Sequence, residues 1–194
     1  MSALPVFTVG HSNRTLESFA ALLHAGAVEQ VVDIRTVARS RHNPQFNADV
    51  IGAGLEPFGI GYLRIAALGG LRGKSKAVAP AVNAFWENAS FHNYADYALS
   101  PEFRAGLEEL LALAGERRTA IMCAEAVWWR CHRRIVADYL LRDGREVLHL
   151  MGEHRIEPAR MTAAAVPASD GIRYPPAQTP MPVPNSTRRD PGTE

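Results

Sequence analysis

The residues best suited to chemistry lie in the second half of the chain. Cys123 directly follows an apolar run, Glu125 comes two residues later, and Cys131-His132 begins a helical pattern. A nearby helix start and arginines favour the thiolate, the form that a nucleophile or a metal ligand requires. Glu125 and His132 are candidates for general acid–base catalysis because their side chains can exchange protons near neutral pH. The competing interpretation of Cys123 is a small apolar core residue.

Arginines accumulate beside the predicted ends of other strands. Each offers a rigid fork of donors for phosphate or carboxylate, and a helix start adds backbone N–H groups. Asp33 ends the second apolar run, where it either orients Arg35 or His11 or acts as a catalytic base. The alternative is a structural network of ion pairs, or arginines that are ordinary surface residues. The predicted anion-binding residues are His11, Ser12, Arg35, Arg39, Ser40, Arg41, Arg72 and Arg133.

Zinc binding by Cys123, Cys131 and His132 is an alternative to thiol chemistry. The spacing of the two cysteines matches no standard zinc motif, and the sequence contains no C-x-x-C pair. The leading expectation is therefore a site without a cofactor. Trp128 and Trp129 lie in the same loop, where they either stack on a base, cover a pocket or pack over the sheet.

The elements that must position these side chains follow from the apolar pattern. Short branched apolar runs alternate with helical patterns, and the returns between them are short and end in glycine. We therefore predict a three-layer α/β fold, with a mostly parallel sheet of about five strands and helices on both faces. In such a sheet ligands bind beyond the carboxyl ends of the strands. The predicted strands lie at 6–9, 31–34, 61–65, 119–122 and 146–150.

The length of 194 residues suits one domain, which we place at residues 1–157. Eight of the 13 prolines lie after Glu157, and the apolar periodicity ends at the same point. Residues 158–194 are therefore predicted to form a proline-rich, disordered tail.

Charge and composition exclude several classes of function. A formal net charge of +1 provides no bulk field for nucleic acid or an anionic membrane, so any such binding must come from local clusters. No apolar run reaches the roughly 18–20 residues of a membrane span. The two cysteines form no disulfide framework, and no export signal is visible at the N-terminus. The expected compartment is the cytoplasm.

Several of these segments together resemble a known family. Thr8-Val9-Gly10-His11-Ser12, the segment from Asp33 to Phe46, and above all Cys123-Ala124-Glu125 through Cys131-His132-Arg133 closely resemble the bacterial and archaeal domain-of-unknown-function family four-eight-eight. The resemblance spans about Val6 to Gly152. Ala38 departs from the proline that is common in relatives. The resemblance supports the site residues but implies no reaction.

A second similarity is to rhodanese-like sulfur transferases, in which a helix precedes a strand ending in Asp-x-Arg and a later strand ends in cysteine. Asp33-Ile34-Arg35 and Cys123 occur here in that order. Three functions follow. The first is an enzyme acting on an anionic, phosphate-bearing substrate such as a nucleotide or nucleic acid. The second is a noncatalytic module that binds a nucleotide or nucleic acid, and the third is sulfur transfer through Cys123.

Overall fold

The computed structural model describes residues 3–152 and 154–176, and a six-stranded sheet forms the centre of this part of the chain. The strands are β1 (Val6–Gly10), β2 (Gln30–Asp33), β3 (Gly61–Arg64), β4 (Thr119–Cys123), β5 (Val147–Gly152) and β6 (Arg155–Pro158). Their order is β3-β2-β4-β1-β5-β6. The first five are parallel to their neighbours, and β6 pairs antiparallel with β5.

Helices cover both faces of the sheet, so the predicted three-layer α/β fold is confirmed. The helices are α1 (Leu16–Ala25), α2 (Ile51–Leu55), α3 (Ala89–Tyr97), α4 (Pro101–Glu116) and α5 (Arg133–Arg142). One apolar cluster joins α1 and α2 to one face of the sheet, and a second joins α3, α4 and α5 to the other.

The two faces of each strand follow the alternation of its side chains. In β4, Ala120 and Met122 belong to the cluster under α1 and α2, whereas Ile121 belongs to the cluster under α5. All five residues of β4 are buried because the sheet is covered on both sides. Cys123 alternates with Met122 and therefore lies on the α5 side of the sheet.

Side-chain caps fix two of the helix starts. The Thr15 hydroxyl accepts a hydrogen bond from the Ser18 N–H at the start of α1, and the Ser100 hydroxyl accepts one from the Phe103 N–H at the start of α4. Such caps satisfy N–H groups that have no partner within the helix. The predicted starts at Thr15 and Ser100 are confirmed.

The structure corrects the domain boundary expected at residue 157. Residues 166–173 form a hairpin of β7 (Val166–Ala168) and β8 (Gly171–Arg173), and both Ile172 and Tyr174 are fully buried in the cluster under α5. The Tyr174 hydroxyl donates to Asp138 of α5 at 2.9 Å. Apolar burial and this hydrogen bond hold the segment against the domain. The rest of the predicted tail, residues 177–194, lies outside the described residues.

Within residues 3–152 and 154–176, each helix is either too short or too polar to cross a bilayer.

Candidate functional site

The carboxyl ends of β1, β4 and β2 lie side by side, because β4 is hydrogen-bonded between the other two strands. Gly10 at the end of β1 pairs with Cys123 at the end of β4, and Asp33 pairs with Met122. Two cavities lie at this edge, with volumes of about 360 and 380 Å³. Arg35, Val37, Ala124 and Glu125 line both cavities, so the two adjoin.

The inner cavity of about 360 Å³ contains a cluster of two cysteines and a histidine. The Cys123 and Cys131 sulfurs and a ring nitrogen of His132 all lie within 4.8 Å of one another. His132 Nδ1 is 3.6 Å from Cys131 Sγ and 4.0 Å from Cys123 Sγ. Both cysteines are free thiols. This Cys–Cys–His group could hold a metal ion.

The ring of His132 is fixed so that Nδ1 faces the two sulfurs. Its Nε2 lies 2.9 Å from the backbone carbonyl of Ile34, which only accepts hydrogen bonds, so Nε2 carries the proton and donates. In the tautomer with the proton on Nε2, Nδ1 carries the free lone pair that a metal ion would need. Gly70 provides the space for the ring, since a Cβ atom at this position would overlap Nδ1 and Cγ. The sequence signal for this contact is the pair Gly69-Gly70, whose role the sequence analysis missed.

Arg133 contacts the same cluster from the protein interior. It is 1% exposed, and its guanidinium donates to Cys131 Sγ at 3.3 Å and to the backbone carbonyl of Glu125. It forms no ion pair with a carboxylate of the described residues. A buried guanidinium needs a counter-charge, and the Cys131 thiolate is the group in position to supply it.

The pKa values of the two thiols are shifted in opposite directions. A hydrogen bond to Cys131, together with burial, raises the pKa of Cys123 well above its usual value. Burial opposes ionisation of Cys131, but a hydrogen bond from Cys123 and the charge of Arg133 lower the pKa of Cys131 well below the usual value. The pair therefore shares one negative charge, which resides on Cys131 while Cys123 donates its proton.

Asp33 and Arg35 form a buried network beside the cluster. Arg35 donates to both carboxylate oxygens of Asp33, to the carbonyl of Phe46, and to His11 Nε2 at 3.1 Å. Tyr62 donates to the same Asp33 carboxylate at 2.8 Å. Asp33 thus acts as the orienting partner of Arg35. Because its oxygens already accept these bonds, the role of catalytic base does not fit Asp33.

His11 is held as a neutral ring. Its Nδ1 donates to the carbonyl of Ser12 at 2.8 Å, and its Nε2 accepts from Arg35. Burial lowers the pKa of His11 to about 4, and the Arg35 charge adds to this effect against the weaker pull of Asp33. His11 therefore brings no positive charge to an anion at neutral pH, and its contribution is to orient Arg35.

The other predicted residues divide between the site and its surroundings. Ser12, Arg39 and Ser40 line the middle cavity of about 380 Å³ together with Glu125. Arg41 lies with Arg39 and Ser40 on an outer cavity of about 730 Å³. Arg72 lies outside all three cavities: it donates to the carbonyls of Gly69, Ala66 and Ala67 and stacks over Tyr97. Arg130, which the predicted set omitted, lines the inner cavity.

The tryptophan loop packs against the sheet. The Trp128 ring stacks on His149 of β5, with centroids 4.4 Å apart and planes 10° apart, and His149 Nδ1 lies 2.7 Å from the Thr8 hydroxyl. Trp129 remains 43% exposed. Of the three roles expected for this loop, packing over the sheet describes Trp128.

His149 makes stability depend on pH. Burial, with a contribution from the Arg133 charge, lowers the pKa of His149 to about 4, against about 6.5 in an unfolded chain. Between these values the unfolded state binds a proton that the folded state does not, so stability falls as pH falls. When the pH falls from 7 to 5, we expect the wild type to lose about 1–2 kcal/mol more unfolding free energy than His149→Gln does. Urea unfolding at each pH measures this, with the exposed His42→Gln as control; equal slopes in wild type and His149→Gln would contradict it.

Together the fold and the site define a three-layer α/β protein with a cysteine–histidine centre at the carboxyl ends of its strands. The model of a known family, Domain of unknown function DUF488, matches residues 15–140, and the chain belongs to this family. The resemblance to this family that was noted in the sequence is thereby confirmed. No curated protein and no solved structure matches the chain.

Proposed function

We propose that this protein is a zinc-dependent enzyme that acts on an anionic, phosphate-bearing substrate. The observation that carries the proposal is the Cys123–Cys131–His132 cluster, whose three candidate ligand atoms lie within 4.8 Å of one another at the wall of the inner cavity. Arg35, Arg130 and Glu125 line the same cavity, which places donors for an anion and a carboxylate beside the cluster.

The geometry of the cluster fits zinc. With Zn–S bonds of about 2.3 Å and Zn–N bonds of about 2.0–2.1 Å, tetrahedral angles separate a sulfur and a nitrogen ligand by about 3.6 Å. The two separations observed from His132 Nδ1 are 3.6 and 4.0 Å. His132 Nε2 donates to the Ile34 carbonyl, and a hydrogen bond of this kind from the other ring nitrogen usually fixes the orientation of a ligating imidazole. A zinc ion held by these three residues would keep one position for water or substrate, which is typical of catalytic zinc sites.

The surrounding charges favour an anion. Two cysteine thiolates would cancel the charge of Zn²⁺, and Asp33 cancels that of Arg35. Arg130, on the cavity wall, and the buried Arg133 remain as positive charges without carboxylate partners among the described residues. A guanidinium binds phosphate through parallel hydrogen bonds, so Arg130 is the residue best placed to hold the substrate.

The proton transfers are assigned to Glu125. A bound zinc ion supplies a Lewis acid and lowers the pKa of a coordinated water. Glu125 is exposed and lines both adjoining cavities, so its carboxylate can accept a proton from water and return it to a leaving group. Arg133 and the Ile34 carbonyl act on the ligands Cys131 and His132 and do not touch the substrate.

Metal analysis of the purified full-length chain tests the proposal. We expect about one zinc per chain. Gly70→Ala should lower the zinc affinity about 10–100-fold, because the new methyl group displaces the His132 ring and such supporting contacts have effects of this size. Gly73→Ala is the matched control, since a Cβ at that position meets no atom within 4 Å. A zinc-free wild type that also fails to bind added zinc would overturn the proposal.

Cobalt substitution tests the anion site in the same protein. Inorganic phosphate should change the visible absorption of the Co²⁺-loaded chain, because all three residues that would hold the metal line the inner cavity. Arg130→Ala is expected to weaken this phosphate binding about tenfold, or about 1.4 kcal/mol. If phosphate leaves the absorption spectrum unchanged, the anionic substrate is refuted but the metal site is not.

A further inference from the structure

The inner cavity is one end of a longer groove along the carboxyl edge of the sheet. The inner and middle cavities share four lining residues, and the middle and outer cavities share Arg39 and Ser40. Their volumes are about 360, 380 and 730 Å³. Because a pocket of about 300–1,000 Å³ already suits one small ligand, this groove accommodates a substrate that extends well beyond its reacting group.

We infer that the substrate is a single-stranded nucleic acid, with one nucleotide in the inner cavity and the adjoining backbone along the rest of the groove. This inference rests on the proposed function and names the substrate class of the same site. It rests on two observations: the lining of the groove is apolar at the inner end and basic at the outer end.

The outer part of the groove suits a phosphate backbone. Arg39 and Arg41 are exposed and form no ion pair with described residues. Ser40 lies between them, with its backbone N–H bonded to the Asn47 side chain and its hydroxyl to the Asn43 N–H, so the loop is tied to the residues that follow it. Two free guanidinium groups on a fixed loop can contact successive phosphates.

The inner part of the groove suits a base. Val37 and Leu71 line the inner cavity, yet they are 62% and 70% exposed, and Phe91 forms another part of the wall. Large exposed apolar side chains around a cavity mark a binding site, and the flat face of a nucleobase is apolar enough to cover them. Aromatic and apolar contacts of this kind accept any base, so they give affinity without strict sequence selection.

The shape of the site favours a single strand over a duplex. A base paired inside a duplex cannot reach a cluster at the wall of a cavity unless it leaves the stack. The net charge of +1 also provides few sequence-independent contacts to duplex DNA beyond the groove itself. The free arginines lie on the groove, where a flexible single strand can follow them.

Salt-dependent binding of a labelled single-stranded oligonucleotide of about 12 nucleotides to the full-length chain tests the inference. The Arg39→Ala/Arg41→Ala double variant should reduce the slope of log K against log salt by about 1.4, because each phosphate contact contributes about 0.7. Arg117→Ala is the matched control, because Arg117 is exposed and precedes β4 at the opposite edge of the sheet. An unchanged slope in the double variant would overturn the inference.

Two competitors separate a nucleic acid from other polyanions. Inorganic polyphosphate and a duplex of the same sequence should both compete at least about tenfold less well than the single strand, since neither offers free bases to the inner cavity. Equal competition by either one would overturn the inference. Measuring both zinc binding and oligonucleotide binding on the wild-type chain keeps the two proposals distinguishable: a wild type that binds zinc but no oligonucleotide refutes only this inference, and a wild type that binds oligonucleotide but no zinc refutes the proposed function.

Discussion

Replacing Arg133 with methionine is expected to lower the free energy of unfolding by about 3–5 kcal/mol. Methionine fills much of the same volume, so the effect comes from the lost charge and hydrogen bonds. The variant leaves the carbonyl of Glu125 without its donor and the sulfur of Cys131 without its cation, and both groups are buried or partly buried in the native state. A buried partner left unpaired is costly because water cannot replace the lost contact.

Urea denaturation of the metal-free chain at pH 7 measures this effect without a contribution from bound metal. The matched control is Arg117→Met, which changes an exposed arginine and is expected to alter stability by no more than about 0.5 kcal/mol. A loss below about 1 kcal/mol for Arg133→Met would show that Arg133 is not the counter-ion of a Cys131 thiolate. Arg133→Lys should recover only part of the loss, since an ammonium group cannot reach both acceptors with a planar fork.

The layered fold was predictable because its signals are local. The apolar runs at 6–9, 31–34 and 119–122 belong to strands that are buried on both faces, and such strands read as continuous apolar sequence. Thr15 and Ser100 begin helices through their own hydroxyl groups. Neither signal depends on residues that are distant in the sequence, so both can be recognised from the sequence alone.

The C-terminal hairpin was not predictable in this way. Ile172 and Tyr174 stand among prolines and polar residues, and a short hairpin of this size is marginal in isolation. Their burial depends on groups far away in the chain: Asp138 accepts from the Tyr174 hydroxyl, and the Tyr139 hydroxyl accepts from the Ile172 N–H. Tertiary contacts of this kind leave no periodic pattern.

The location of the candidate site was predictable, but the roles of its individual residues were not. The rule that ligands bind at the carboxyl ends of parallel strands placed Cys123, Glu125 and His132 together. It could not show that Arg72 turns back to cap local carbonyls, because a long arginine side chain can reach several groups from one backbone position. Zinc spacing motifs describe ligands on short local turns. Here the three candidate ligands come from a strand end and a helix start that the fold brings together.

Replacing His132 with alanine is expected to lower the zinc affinity by more than the 10–100-fold typical of a supporting residue, because it removes one of the proposed ligands. Zinc content after dialysis against a competing chelator measures the change. His42→Ala is the matched control, since it removes an exposed histidine that lines none of the three groove cavities. Retention of zinc by His132→Ala would contradict the assignment of Nδ1 as a ligand.

The same variant separates metal chemistry from sulfur transfer. In sulfur transfer, the Cys123 thiolate attacks the sulfane sulfur of thiosulfate, sulfite leaves, and the sulfur stays on Cys123 as a persulfide. This reaction needs no imidazole ligand, so His132→Ala would still gain one sulfur atom by mass spectrometry. It does need a Cys123 thiolate, which the raised pKa of Cys123 disfavours while Cys131 holds the negative charge. We therefore expect no added sulfur in wild type or variant, and a persulfide on Cys123 in the wild type would favour the sulfur-transfer function over the metal site.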